Sequence, residues 1–359
     1  MRTVDTYILK EFARNLVLII LSLIVLYLVV DFFQRIRMFI SNGATLPQMA
    51  AYFIYSLPMI LVQMTPVSVL LSSLITFGIL SRNCELVALR AAGVSLYRVA
   101  APLVLVAAGI AAFSFMVNEL VTPWSNQRVK YTKYIEIQNR AHAGSFKQYQ
   151  IWYRGKEGIY NFAVFDPHEG VLRGIKINYL DRSMNMTRRI DAAEGRWRDG
   201  AWVFEDLIIT TFPEGAFPLV EKLASAPVNL PEKPQDFLAV QREPDEMGFG
   251  ELRRFIEKIR SEGYDATPYR VDLYGKVAFP IVSILMAVLG LCFAARFERS
   301  GGVVQGIGIG IAAGLSYWLF FAFAVSLGRS GVLPPMLSAW AANLVFLAGT
   351  VLLLRRVKT

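Results

Sequence analysis

Arg82 and Glu85 stand three residues apart in SRNCELVALRAAGVSLYR, residues 81–98, and can pair on one turn of a helix. The stretch is short, charged and wedged between two long apolar runs. Leu86, Leu89, Gly93 and Leu96 fall on one helical stripe. Gly93 is placed to end a helix, and Ser95 to cap the next. Such a helix, about 82–96, lies at a membrane surface. It can anchor there by snorkelling its arginines to lipid phosphates. It can equally be a lever gripped by a partner, and spacing alone leaves both open.

Other chemistry-bearing residues are sparse. His142 and His168 have no Cys or His partner at ligand spacing, so they read as surface histidines and no metal site is expected. Cys84 and Cys292 are too few for a disulfide framework. No G-x-x-x-x-G-K-[ST] occurs; Gly155-Lys156 and Gly275-Lys276 lack the earlier glycine and the following Ser or Thr. The chain therefore does not cradle ATP by that device. Asp31, Glu119 and Asp272 sit near the ends of apolar runs on one side. An intramembrane enzyme acting on lipid-linked sugars would want such acids, so that class stays open at this point.

The elements that position these residues are membrane spans. Of 359 residues, 55% are hydrophobic and 18% charged, a more apolar balance than a soluble domain shows. Six runs are long enough to cross about 30 Å of hydrocarbon as helices. They cover about 12–33, 50–80, 99–121, 271–295, 303–327 and 335–354. The first is too long for a signal peptide and lacks a cleavage site; Asp31, Arg35 and Arg37 follow it. The net charge of +9 does not point to nucleic acid, because no basic run stacks with aromatics in a soluble module.

With the N-terminus in the cytoplasm, the inner segments of the first half hold Arg2, Lys10, Arg14, Arg82, Arg90 and Arg98. Those of the second half hold Arg296, Arg299, Arg355, Arg356 and Lys358. The short outer loops hold only Arg35, Arg37 and Arg329. This bias puts both termini in the cytoplasm and the long insert between spans three and four outside.

In that insert charges become frequent and the period drops toward two. QYQIWYRGKEGIYNFAVF reads as two strands around a turn at 155–158. EGRWRDGAWVFEDLIITTF reads as two more around Asp199-Gly200. An antiparallel sandwich or curled sheet follows, with Trp152, Tyr160, Phe162, Trp197, Trp202 and Phe204 in its core. The domain plan is helices at 1–121, a β-domain and proline-rich linker at 122–247, an amphipathic helix at 248–268 and helices at 269–359. In that helix Phe255, Ile256 and Ile259 share one side and Gly263 caps the end.

The connector SRNCELVALRAAGVSLYRV resembles that of the LptF/LptG permeases, membrane subunits of the ABC exporter that extracts lipopolysaccharide from the inner membrane. That family's pattern has Ser-Glu-Leu or Cys-Glu-Leu, then small residues ending in Ala-Gly or Ser-Gly and a hydroxyl or basic residue. Here Glu85, Leu86, Ala91, Ala92, Gly93 and Ser95 supply it. VDTYILKEF, NELVTP and YGKVAFPIVSILMAVLG fit too, and the resemblance covers nearly the whole chain. VVDFFQRIRMF, after span one, is more similar to the LptG branch than to LptF.

The resemblance implies a six-span helical membrane protein with an inserted periplasmic, jellyroll-like all-β domain. Its implied function is a transport subunit and not an enzyme. The helix bearing Arg82, Glu85, Leu86, Leu89, Arg90 and Gly93 would dock in a groove of a homodimeric cytoplasmic ABC ATPase. That partner would bind ATP and Mg, with no cofactor in this chain. The other implied partners are an LptF-like six-span permease and periplasmic jellyroll bridge proteins, one with a membrane anchor.

Lipopolysaccharide, the implied substrate, has many acyl chains and anionic phosphates, so its site needs an apolar chamber with cations at the outer level. The candidates are Arg35, Arg37, Arg128, Lys130, Lys133, Arg270 and Lys276. Lys276 is the most informative, one to two turns into its span, where charge is costly. Its structural alternative is an i,i+4 pair with Asp272. Gly302, Gly306, Gly310 and Gly314 recur every four residues and share one helix face. The face either packs within the chain or, as the resemblance implies, lies at a lateral gate between two permeases. A second alternative is an ABC permease of the mechanotransmission type, driving a periplasmic process; such permeases typically have four spans.

Overall fold

The structure, a computed structural model, describes residues 2–138, 151–154, 158–166, 170–181, 185–198, 201–213, 217–228, 243–261, 265–296 and 302–356. Its contacts define two units, described separately: residues 1–132, 244–256 and 265–359, and residues 133–243 and 257–264.

The first unit is helical. In chain order it has α1 (Arg2–Ser41), α2 (Leu46–Arg82), α3 (Glu85–Ala91), α4 (Leu96–Leu120) and α5 (Thr122–Tyr131). After the β unit come α6 (Phe249–Ser261), α7 (Thr267–Arg296), α8 (Gly302–Arg329) and α9 (Pro335–Arg356). Six of these are long and apolar enough to cross a membrane: α1, α2, α4, α7, α8 and α9. Only helices and closed barrels can satisfy every backbone polar group in lipid, which is why uninterrupted apolar runs become helices here. Thr45 opens α2 with a capping box to Gln48, and Asp265 opens α7 by accepting from the Thr267 backbone N–H at 2.9 Å. The Thr267 hydroxyl and N–H hold the Asp265 carboxyl below the usual carboxylate range. That cap therefore contributes stability above the ordinary carboxylate pKa and loses it as pH falls through the lowered one.

α2 and α7 form the spine. In their most apolar windows 72% and 61% of residues are buried, against 6% for α1. They approach closely at Gly290, where an added Cβ would stand 2.6 Å from the Leu70 carbonyl oxygen. Ser73 Oγ donates to the Ala287 carbonyl at 2.7 Å beside that contact. α5 continues directly from α4, and Thr122, Ser125 and Asn126 are buried. The β unit thus begins at Lys133, later than the composition change at 122 suggested, because polar residues of α5 pack among helices.

The second unit is a six-stranded antiparallel meander: β1 (Ile151–Arg154), β2 (Gly158–Asp166), β3 (Val171–Leu180), β4 (Met186–Arg198), β5 (Ala201–Thr211) and β6 (Leu219–Val228). Arg198 lies opposite Ala201 and Arg154 opposite Ile159, so both expected hairpins are present, with their turn residues outside the described set. Tyr160, Phe162, Trp202 and Phe204 centre the core, with Trp197 packed on it; the Trp152 side chain lies outside the described set. The described strands make one sheet. Its pairing is interrupted at one level across five strands, at Ala163, Gly174, Ala193, Asp206 and Ala224. Gly174 and Asp206 have φ of 62° and 53° there, so the sheet is creased along this line.

Replacing Gly290 with valine would force α2 and α7 apart. It is expected to cost about 1–3 kcal/mol, read as a lower thermal midpoint in detergent. Gly109→Ala, where an added Cβ meets nothing within 4 Å, should leave the midpoint unchanged or raised.

Candidate functional site

Two polar regions interrupt the helical unit, one just past the C-terminal end of α2 and one beside its middle. At the start of α4, Ser95 caps the helix by accepting from the Arg98 N–H at 3.3 Å. Gly93 has φ +81° and lets the Val94 N–H close on the Leu89 carbonyl at 3.0 Å. α3 is thus a seven-residue helix, shorter than the span 82–96, with a turn at Asn83–Cys84 separating it from α2. Leu86 is buried, Leu89 half-buried and Arg82 exposed; the Arg90 side chain lies outside the described set. Glu85, for which spacing offered Arg82, accepts from Asn83 Nδ2 at 3.1 Å. Arg98 pairs with Asp5 at 2.9 Å.

Beside the middle of α2, a cavity of about 230 Å³ opens among α2, α4, α5, α7 and α8. Gln63, Asn118, Asn126, Asp245, Asp272, Lys276 and Arg329 supply its polar lining, and Trp318, Phe321 and Val325 its apolar wall. Lys276 is 8% exposed, and Asp245, Glu119 and Asp272 are the carboxylates acting on it. The expected Asp272–Lys276 pair is replaced by another. Arg329 Nη2 and Nε donate to Asp272 Oδ1 at 2.5 and 3.1 Å. A guanidinium fork from α8 outcompetes a flexible ammonium on the same helix, and Lys276 is left lining the cavity.

The other acids are also engaged. Both oxygens of Glu119 accept from the Phe249 N–H, at 2.7 and 2.6 Å, tying the end of α4 to the start of α6. Asn126 and Gln127 donate to the carbonyls of Asp245 and Glu246, and Lys130 pairs with Glu246. Asp31 holds Arg35 at 2.8 Å, with the guanidinium over the Tyr52 ring at 5.2 Å. Asp31, Glu119 and Asp272 therefore sit in three separate pairings and do not cluster. Among the described residues no group of three His, Cys, Asp or Glu is placed to hold a metal; His142 and His168 lie outside that set.

The cation candidates do not converge. Only Lys276 lines the cavity. Lys130 and Arg35 are held by acids, Arg128 lies over Trp124 at 6.0 Å and Lys133 over Tyr134 at 4.9 Å. Arg37 and Arg270 are exposed. Arg329 is the cavity cation the candidate set omitted. Its place needs the adjacency of α7 and α8, which sequence spacing does not encode. The glycine face of α8 packs within the chain. Added Cβ atoms at Gly306 and Gly310 would stand 3.1 and 3.0 Å from Leu74, and one at Gly314 would stand 3.5 Å from Val67. Gly302 opens the helix. The exposed face instead carries Ile311, Leu315, Leu319 and Phe323. In the amphipathic α6, Leu252, Phe255, Ile256 and Ile259 are buried, and the Gly263 cap lies outside the described set.

Residues 6–356 match the family described as "Lipopolysaccharide export system permease LptF/LptG". The chain is 22% identical over 361 residues to the lipopolysaccharide export system permease protein LptG of Escherichia coli (strain K12), covering 98% of each. It is 22% identical over 353 residues to that of Haemophilus influenzae, covering 96% of each.

Arg329→Leu is expected to destabilise the helical unit by about 1–3 kcal/mol by orphaning Asp272. Adding Asp272→Asn should recover most of that loss. Thermal unfolding of the four proteins of this cycle checks it; purely additive losses would show that the pair does not hold α7 to α8.

Proposed function

The chain belongs to the lipopolysaccharide export system permease family LptF/LptG, and from that premise we propose the following role. It is an LptG-like subunit of an ABC transporter in the inner membrane. It takes lipopolysaccharide from the outer leaflet and passes it to periplasmic jellyroll bridge proteins, driven by ATP hydrolysis in a separate subunit. The observation that carries this reading is Lys276: a lysine 8% exposed, lining a cavity within the spans, with an aromatic and aliphatic wall beside it. An ammonium buried at that cost suits an anionic headgroup entering from the membrane.

In this reading both termini and α3 are cytoplasmic and the sheet is periplasmic, as the bias of basic residues supports. α3 docks in the ATPase through Glu85, Leu89, Arg82 and Arg90, while Leu86 and Gly93 fix its seat and its end. Lys276 contacts cargo phosphate. Arg37 and Arg270, both exposed, meet the headgroup at the outer level. Gly306, Gly310 and Gly314 give α8 a smooth surface against Leu71 and Leu74 of α2, on which it shifts when the lateral gate opens. The second permease is LptF-like. The enzyme reading loses its basis because each of the three acids is already bonded.

Affinity purification from membranes should recover a nucleotide-hydrolysing ATPase and a second six-span chain. Glu85→Arg should abolish recovery of the ATPase while the chain remains membrane-inserted. Lys276→Met should lower photocrosslinking to lipopolysaccharide severalfold. Transport by the purified chain without any ATPase, or undiminished crosslinking in Lys276→Met, would overturn the respective assignment.

A further inference from the structure

The cavity among the spans carries four charged side chains in its lining: Asp245, Asp272, Lys276 and Arg329. Two of them cancel. Arg329 donates twice to Asp272, which leaves Lys276 and Asp245 to set the charge a ligand meets. Lys276 is 8% exposed, and among the described residues its ammonium has no hydrogen-bond or ion-pair partner. An ammonium has protons to donate, and leaving them unmatched within a span is costly. Asp245 is exposed and still lines the cavity, which places it at the mouth. Its carboxylate has no such partner among the described residues either. The backbone that carries it is held firmly. Asn126 of α5 donates to the Asp245 carbonyl at 3.0 Å and Gln127 to the Glu246 carbonyl at 3.0 Å, and Lys130 pairs with Glu246. The short turn Pro244–Glu246 thus fixes an acid at the entrance and leaves its charge unspent, with a cation further in.

We propose that Asp245 is a specificity-determining residue: with Lys276 it makes the cavity a site for a zwitterionic phosphoester, a headgroup carrying a phosphate and an amine, in preference to a bare phosphate. This inference rests on the reading of the cavity as a headgroup site. A terminal phosphate monoester carries about −1.5 to −2 charge at neutral pH. Lys276 offsets only part of that, and the remainder faces Asp245, a like charge. An amine on the same headgroup turns that opposition into a pair, so one acid both favours the zwitterion and disfavours the bare anion. Two sources carry this chemistry: an amine-capped phosphate on the cargo, and an ethanolamine phospholipid of the bilayer.

Ligand-observed NMR on the purified full chain in detergent reads the preference directly, with phosphoethanolamine and its amine-free isostere propyl phosphate as probes. The wild type should bind phosphoethanolamine about threefold tighter, the size of one partly exposed ion pair. Asp245→Asn keeps the backbone carbonyl and removes the charge. In it the preference should vanish, and propyl phosphate should bind tighter than to the wild type. An unchanged preference in Asp245→Asn, or a wild type that favours propyl phosphate or binds neither probe, overturns the proposal. The crosslinking of lipopolysaccharide to Lys276→Met decides the headgroup reading separately, so that reading can stand while the specificity fails. Crosslinking in nanodiscs tells the two sources apart. If the cargo supplies the amine, lipopolysaccharide with amine-capped phosphates should crosslink about threefold more than the uncapped form, a difference that disappears in Asp245→Asn. If the bilayer supplies it, replacing the ethanolamine phospholipid by a glycerol one should raise crosslinking of the uncapped form instead. Absence of both responses overturns the proposal.

Discussion

The close approach of α2 and α7 is the constraint on which the helical unit depends. Lipid tails are as apolar as leucine, so no hydrophobic force draws helices together in a bilayer; packing and interhelical hydrogen bonds must do it. Gly290 lets the α7 backbone meet the Leu70 carbonyl, and Ser73 bonds across to Ala287. The same device recurs around this spine. Asn15 of α1 donates to Thr76, Asn343 of α9 donates to the Ala278 carbonyl, and Tyr317 of α8 donates to Asn343. α1 is thus fastened to α2, α9 to α7 and α8 to α9 by polar side chains whose alternative, in hydrocarbon, is an unsatisfied group.

The two polar regions are joined through α2. It lines the cavity with Gln63 and ends at Arg82, one turn before α3. At 37 residues it is about 55 Å long. It is not uniform along that length. Pro58 and Pro66 each remove a backbone donor near the cavity, while Thr65, Ser68 and Ser72 bond back to carbonyls four residues earlier. The half of α2 between Pro66 and α3 is the more buried one.

The sequence showed most where forces are local. Hydropathy placed the six spans, because each must be a continuous apolar helix. Gly93 and Ser95 were legible as caps, because a cap is decided within a few residues. Lys276 stood out because charge in a span is costly. Partners were not legible. The spacing of Asp272 and Lys276 suggested a pair within one helix, but Arg329 reaches Asp272 from 57 residues away. The glycine period of α8 announced a close-packed face without saying that α2 covers it. α5 was hidden, because its buried Thr122, Ser125 and Asn126 read as the polar start of the insert. The other six candidate cations looked equivalent in sequence, and only folding separates those bonded to acids or laid on aromatic rings from the exposed Arg37 and Arg270.

The crease in the sheet has a consequence for how this chain can diverge. Its five residues, one per strand from β2 to β6, must stay in line, since Gly174 lies against Ala163 and the neighbouring ladders resume in register on both sides. Gaining or losing one residue in any single strand would break the alignment and turn alternate side chains to the wrong face. Side chains elsewhere in these strands are free to drift far in type, but strand length is not, so evolution must add and remove residues in the connecting turns.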